Sequence, residues 1–415
     1  MNMLNPETVF YIIIGLILFN YCFDLILSIL NAKKFDDQLP PELEDVYDDT
    51  VYKNSQKYKR ENFRFSILTN SFSTFLIITF LFFNGFAYLH YHLTAIIKHQ
   101  VIVMLVFFGV LFVANFLLNL PLNWYQNFVI EAKYDFNRTS LKTFWLDQLK
   151  SFLLTIIIGG LLLSAIYYLF FWFSVNFWWY AWVLISVLIV IINMFYTKLI
   201  LPLFNKLSPL PSGKLRDSIE NYAKTVNFNL SKIFVIDGSK RSTKANAFFS
   251  GLGSQKQVTL YDTLIDDLTP HEIVAVLAHE VGHYKHKHIV FNLITSILSL
   301  GLSMFILSLF IVKPEVSQAL GVQEPNFHIG LIAFGFIYSP VSFIISIIIN
   351  LMSRHFEYQA DAYAKKTFNE NDLISALKKL NKKSLSNLTP HPWYVFFNYS
   401  HPTLLQRFRK LKANA

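Results

Sequence analysis

The chain has 415 residues, of which 53% are hydrophobic, 17% aromatic and only 15% charged. Soluble domains carry about 25% charged residues, so a water-soluble globule would leave too much apolar surface exposed, and a multi-span membrane protein is expected. The lone cysteine, Cys22, excludes intramolecular disulfides and cysteine-built metal sites, and the net charge of +9 has to be placed by topology.

Windows of about 20 apolar residues without Lys or Arg mark candidate spans. In chain order they cover residues 8–30, 66–89, 97–120, 151–173, 175–197, 289–312 and 328–352. The first lacks a basic leader, is too long for a cleaved signal peptide and carries Asp24, so it reads as a retained span. All but two of the 36 basic residues, Lys98 and Lys313, fall in segments 31–65, 121–150, 198–288 and 354–415. This asymmetry predicts seven helices with an outer N-terminus and a cytosolic C-terminus. Trp172, Trp178, Trp179 and Trp182, beside a turn at Ser174, suit an aromatic belt at the opposite interface. The basic excess is thus topological. It gives no reason to expect nucleic acid, and the partner it implies is the lipid bilayer. The acidic stretch 36–49 reads as a solvated loop.

The expected organisation is five membrane helices with cytosolic loops over 1–200, a cytosolic segment over 201–288, helices six and seven over 289–353, and a cytosolic tail over 354–415. Residues 232–237 and 258–261 are β-rich and bounded by Gly or Asp. The tail is helical in pattern until Pro390 and Pro392 break it.

Thr269 followed by Pro270 and, three positions on, Glu272 is a capping-box helix start. On that helix His279 and His283 are four apart, so both imidazoles share one face and could ligate one metal ion, with Glu280 beside them. With 12 histidines the pattern arises by chance roughly once in a hundred such chains, so the cap and hydrophobic flanks are what lift it above a polar helix face. Catalytic zinc takes three protein ligands and a water. The third is not a downstream histidine of the metzincin kind, because residue 289 is Ile. Glu357 and Asp361 lie four apart just past the seventh window. One could bind the metal while the other accepts the ring N–H of a ligand histidine. Both ligand helices are expected to run into membrane helices, which would put the site at the cytosolic boundary.

Over almost its whole length the chain resembles the type I CAAX prenyl proteases, integral-membrane zinc endopeptidases of the gluzincin kind. The resemblance is carried by FVIEAKYDFN at 128–137, LPLFN at 201–205, DGSKRS at 237–242, NAFFSG at 246–251, VTLYDTL at 258–264 and SHPTLLQR at 400–407. It implies one zinc ion held by His279, His283 and Glu357, with Glu280 as general base. It also implies that Asn246 and His401 hold the substrate or the oxyanion, that Asp361 supports a ligand, and that Arg407 is a structural partner nearby. The implied fold is mainly α: seven transmembrane helices enclosing a water-filled chamber, with a cytosolic zincin-type α+β domain closing one end. The chain departs from the family at Asp135, where Gly is usual, and at Gln406, where an acid is usual.

The expected reaction is metal-assisted hydrolysis of a peptide or protein substrate lipidated at its C-terminus. The edge formed by Asn246, Ala247 and Phe248 would bind the substrate backbone by β-addition. A membrane quality-control protease without a prenyl requirement is the alternative. A metal transporter or channel, suggested by Asp24, Asn84, Asn115, Asn193 and Asn292 within the spans, is the rival from another class.

Overall fold

The computed structural model describes residues 5–35, 37–250 and 257–413. Gly251, at the end of the NAFFSG stretch, lies outside the described residues. Fourteen helices position the site: α1 (Pro6–Ala32), α2 (Asp49–Phe82), α3 (Gly85–Ile96), α4 (Gln100–Tyr125), α5 (Leu141–Phe173), α6 (Phe177–Leu199), α7 (Lys214–Thr225), α8 (Pro270–Lys285), α9 (His288–Phe310), α10 (Phe327–Ile337), α11 (Ser339–Thr367), α12 (Glu370–Lys383), α13 (Pro392–Asn398) and α14 (Leu404–Lys412).

Among the described residues, six segments are long and apolar enough to cross a membrane, one of them the 59-residue run Leu141–Leu199. That run reverses at Ser174, whose φ is 47°. Its two ends meet again, because Lys150 donates to the Leu203 carbonyl at 2.7 Å and Arg241 bonds both Asp147 and the Phe204 carbonyl. By length and composition the count is therefore six, and the expected seven is reached only by counting this hairpin as two crossings. Two other windows are interrupted. The second breaks at Asn84, left-handed at φ 52°, which separates α2 from α3. The last divides into α10 and α11 at Tyr338, just before Pro340, whose missing N–H cannot extend a helix.

Polar residues of α1 and α2 face each other. Asn20, Asp24 and Ser28 line a cavity of about 380 Å³ with Ser66, Asn70 and Ser73, and Tyr21 Oη lies 2.7 Å from Ser71 Oγ.

Beyond the membrane helices, a four-stranded sheet has the order β1 (Leu207–Pro209), β2 (Lys232–Ile236), β4 (Gln257–Tyr261), β3 (Ala247–Ser250). β2 and β4 are parallel, and the pairs β1–β2 and β3–β4 are antiparallel. This leaves β3 at an edge. Helix α8 is the centre of the core. Its Ile273, Val274, Leu277, Ala278 and Val281 are buried against sheet residues Val258 and Leu260, Ile219 of α7 and Leu373 and Ala376 of α12. Each large side chain so buried contributes about 1.5–3 kcal/mol.

The acidic first loop is not merely solvated. Leu43, Val46 and Tyr47 are buried in the same core, and its acids reach the tail in the pairs Glu42–Arg409, Asp45–Lys378 and Asp48–Lys382. Nor does Pro392 end the helical tail. It occupies the first turn of α13, where its absent N–H costs nothing.

Candidate metal centre

Helix α8 begins with the capping box: the Thr269 side chain accepts from the Glu272 N–H, and the Glu272 carboxylate accepts from the Thr269 N–H at 2.8 Å. Glu272 is buried and also accepts from Ser375 at 2.6 Å and Lys379 at 2.7 Å. Burial alone would raise its pKa; the bonds from Lys379, Ser375 and Thr269 outweigh that and hold it near about 2. The box thus fixes both the start of α8 and its seat on α12.

The helix then runs against α11 at the closest approach the side chains permit. A Cβ on Gly282 would fall 2.9 Å from the Ala360 Cα and 3.0 Å from the Ala360 carbonyl oxygen. Only glycine allows this spacing, and the spacing carries the histidines of α8 to the carboxylates of α11. α8 itself does not continue into α9. It ends at Lys285, and the helix is broken at Lys287, left-handed at φ 59°. Helix α11, by contrast, is unbroken from Ser339 through Glu357 and Asp361 to Thr367.

At this junction His279 Nε2 lies 3.5 Å and His283 Nε2 3.3 Å from the Glu357 carboxylate oxygens, and the two Nε2 atoms are 3.1 Å apart. One ligand atom from each residue falls within 4.8 Å of the others. The opposite ring nitrogens explain why the Nε2 lone pairs point inward. His279 Nδ1–H donates to Asp361 Oδ1 at 2.8 Å, and Asp361 is held by two bonds from Arg407, at 2.6 and 2.9 Å. His283 Nδ1 lies 3.0 Å from His288 Nδ1, and His288 Nε2–H donates to Gln359 Oε1 at 2.8 Å. Gln359 donates in turn to His355 Nε2. Because His288 must donate through Nε2, its Nδ1 accepts, which makes His283 the Nδ1–H tautomer.

Two imidazole lone pairs and a carboxylate therefore converge without a hydrogen between them, and Glu357 Oε2 is buried with no hydrogen-bond partner. This donor set fits a divalent cation of the zinc type. When no cation is bound, a proton takes its part. Burial and the Arg407 charge push the His279 pKa down, but its bond to Asp361 and the neighbouring Glu357 carboxylate prevail and raise it to about 9. Burial raises the Glu280 carboxyl above its usual range, a direction suited to a group that exchanges protons near neutrality.

His401, largely exposed on the loop before α14, sits with Nδ1 3.0 Å from Glu357 Oε1. Arg407 approaches the other Glu357 oxygen at 3.4 Å. A cleft of about 410 Å³ beside them is lined by Asn398, Ser400, His401 and Arg407. Thus His279, His283, Glu357, Asp361, Arg407 and His401 come together. Asn246 immediately precedes the edge strand β3, which carries Ala247 and Phe248. The Asn246 side chain accepts from the Ala247 N–H at 2.8 Å, and no hydrogen bond among the described residues joins it to the histidines. The sequence reading missed His288 and Gln359. The one signal for them was a further histidine five residues after His283 and the Gln between Glu357 and Asp361.

A His-Glu-x-x-His helix packed against a glutamate-bearing helix that itself crosses the apolar layer defines a multi-pass membrane metallopeptidase. Residues 28–206 match the family model described as CAAX prenyl protease N-terminal, five membrane helices, and residues 209–415 match peptidase family M48; the chain belongs to this family of M48 peptidases with a CAAX prenyl protease N-terminal region. It is 35% identical to CAAX prenyl protease 1 of Saccharomyces cerevisiae, over 96% of this chain and 94% of that protein. It is 32% identical to the human CAAX prenyl protease 1 homolog, over 92% and 90%. The crystal structure of S. mikatae Ste24p superposes with a TM-score of 0.92 at 34% identity, covering 98% of this chain and 99% of that one.

Proposed function

We propose that this protein is a zinc endopeptidase that removes the C-terminal aaX tripeptide from prenylated CAAX proteins. Its site faces the cytosol, at the endoplasmic reticulum membrane in a eukaryotic host. The observation that carries the reading is the convergence of His279, His283 and Glu357 at the end of a membrane-crossing helix. The relatives named above, which share nearly the whole chain, favour the prenyl-protein substrate over general quality control. A metal transporter gains no support from a centre held by the packed core of α8, α11 and α12.

His279, His283 and Glu357 would hold one zinc ion, which would supply Lewis-acid polarisation of the scissile carbonyl and a more acidic water. Glu280 accepts the proton of the attacking water and passes it to the leaving amine nitrogen. Asp361, clamped by Arg407, keeps the His279 ring oriented. His401 and Asn246 donate to the substrate carbonyl as negative charge develops there, and loss of such a donor lowers rates by about 10²–10³-fold. β3 offers Ala247 and Phe248 as an edge for the extended peptide. A lipid chain partitions into the bilayer at about 0.8 kcal/mol per CH₂, so a site at the boundary meets the tail and its peptide together.

The test pairs a farnesylated CAAX peptide with the same peptide lacking the lipid, in proteoliposomes. The reading expects tripeptide release from the first at a kcat/KM well above that of the second. Equal cleavage of both, or cleavage only of unmodified membrane proteins, would select quality control instead.

A further inference from the structure

Helix α2 has two faces of opposite character. Ser66, Asn70, Ser73 and Thr74 turn toward Asn20 and Asp24 of α1 in the polar cavity. Leu68, Phe72, Phe75 and Phe82, on the other side, are 65, 41, 66 and 55% exposed. A stripe of that size is satisfied only by lipid, so this face of α2 borders the bilayer. One turn below Leu68 on the same stripe stands Arg64, and two turns further Lys57.

There the neighbouring helix gives way. Pro121 interrupts the bonding of α4, and the chain continues as a π-helical turn, Gln126–Glu131. Between this distorted end and α2 opens a cleft of about 900 Å³. Its membrane-side wall is apolar, with Leu68, Leu122 and the stacked rings of Phe65 and Tyr125. Its other wall carries Lys57, Arg60, Arg64 and Lys133 against a single acid, Glu61. Glu61 is already engaged by Lys133 and the Tyr134 hydroxyl, each at 2.9 Å. Lys57 makes no ion pair or hydrogen bond among the described residues, and Arg64 reaches Glu61 only through longer-range attraction, with no hydrogen bond to it.

We propose that this cleft seats the headgroup of an anionic phospholipid, with the phosphate between Lys57 and Arg64 and the acyl chains along Leu68 and Leu122. Cations in excess of the one acid in the cleft, above an apolar wall at the level where a lipid-facing stripe ends, match the two ends of such a molecule. A zwitterionic lipid would leave the surplus positive charge uncompensated. The inference uses only the membrane placement of α2 and stands apart from the choice of peptide substrate.

The test uses the full-length protein purified in a neutral detergent. Retention of phosphatidylserine or phosphatidylcholine is read by native mass spectrometry, and the thermal midpoint is followed as each lipid, or inorganic phosphate, is added. Phosphatidylserine should be retained and should raise the midpoint, while phosphatidylcholine and phosphate should not. The double variant Lys57→Gln/Arg64→Gln should bind it on the order of 10–30-fold more weakly, since each interfacial charge accounts for about fivefold. Lys214→Gln/Lys232→Gln, exposed and remote from the cleft, should behave as the parent. Unchanged metal content would show that the cleft variant is folded. Equal retention of the two lipids, undiminished binding by the cleft variant, or full stabilisation by phosphate alone would overturn the proposal.

Discussion

The Nδ1 atoms of His283 and His288 lie 3.0 Å apart, and the far nitrogen of His288 donates to Gln359 at 2.8 Å. One metal-facing histidine is thus oriented by a carboxylate, Asp361, and the other by a neutral relay. The neutral relay leaves the centre one negative charge poorer than two carboxylate partners would.

Removal of the relay is expected to cost metal affinity. His288→Ala should weaken zinc binding about 10–100-fold, measured by competition with a chelator of known affinity, while the fold, read by helical circular dichroism, is retained. Affinity equal to the parent would mean that His283 is oriented by its helix alone.

Metal loading should be steeply pH-dependent. His279, raised to about 9 in the metal-free site, must give up its proton before Nε2 can ligate. Below about pH 9 each unit of acidification should therefore lower affinity about tenfold from this group alone. Calorimetry in buffers of different ionisation enthalpy should detect proton release near neutrality. Metal uptake without proton release would contradict the assignment.

Gly282→Ala should separate α8 from α11, since its Cβ would strike the Ala360 backbone. The expected destabilisation is about 1–3 kcal/mol. The variant should also lose metal affinity, because Glu357 and the histidines sit on opposite sides of the displaced contact. A variant of parental thermal midpoint and metal content would show that the helices can part freely.

Glu272 ties the first turn of α8 to α12. Its pKa is depressed from 4.5 to about 2, so its contribution is fully present above about pH 4.5 and is lost as pH falls toward 2. The linkage amounts to roughly 3 kcal/mol. Glu272→Gln should lower stability at pH 7 and flatten the acid-induced loss, as followed by denaturant titration at several pH values. An unchanged acid profile would place the ion pair outside the folding energetics.

Asp135, where the family resemblance leads Gly to be expected, adopts φ 59°. Asp tolerates this region at a cost that glycine avoids. Asp135→Gly should leave activity intact and raise stability by at most about 1 kcal/mol, visible as a small upward shift of the thermal midpoint. A loss of stability would point to unfolded-state entropy outweighing the relieved strain.

Much of this arrangement is legible in the residues because it is periodic or local. Spacing of four places His279 beside His283, the Thr269 and Glu272 pair announces its helix, and hydropathy marks the apolar segments. Gln406, in place of an acid, still closes a capping box with Thr403, a substitution the motif itself permits. Long-range relations were hidden. No local pattern shows that the acidic first loop pairs with lysines of α12, or that His288 is brought against His283 by the helix break at Lys287. Helix breaks at Asn84 and Tyr338 fall inside apolar windows, where hydropathy averages over them.

The central claim is that Glu280 moves the proton in a reaction organised by a metal on His279, His283 and Glu357. Its most direct test is one paired measurement on parent and Glu280→Gln proteins: zinc per chain, and turnover of a farnesylated CAAX peptide. The account predicts equal zinc, close to one ion per chain, with turnover reduced at least about 10²-fold in the variant. Full turnover by a zinc-loaded Glu280→Gln protein, or by a parent protein free of metal, would contradict it.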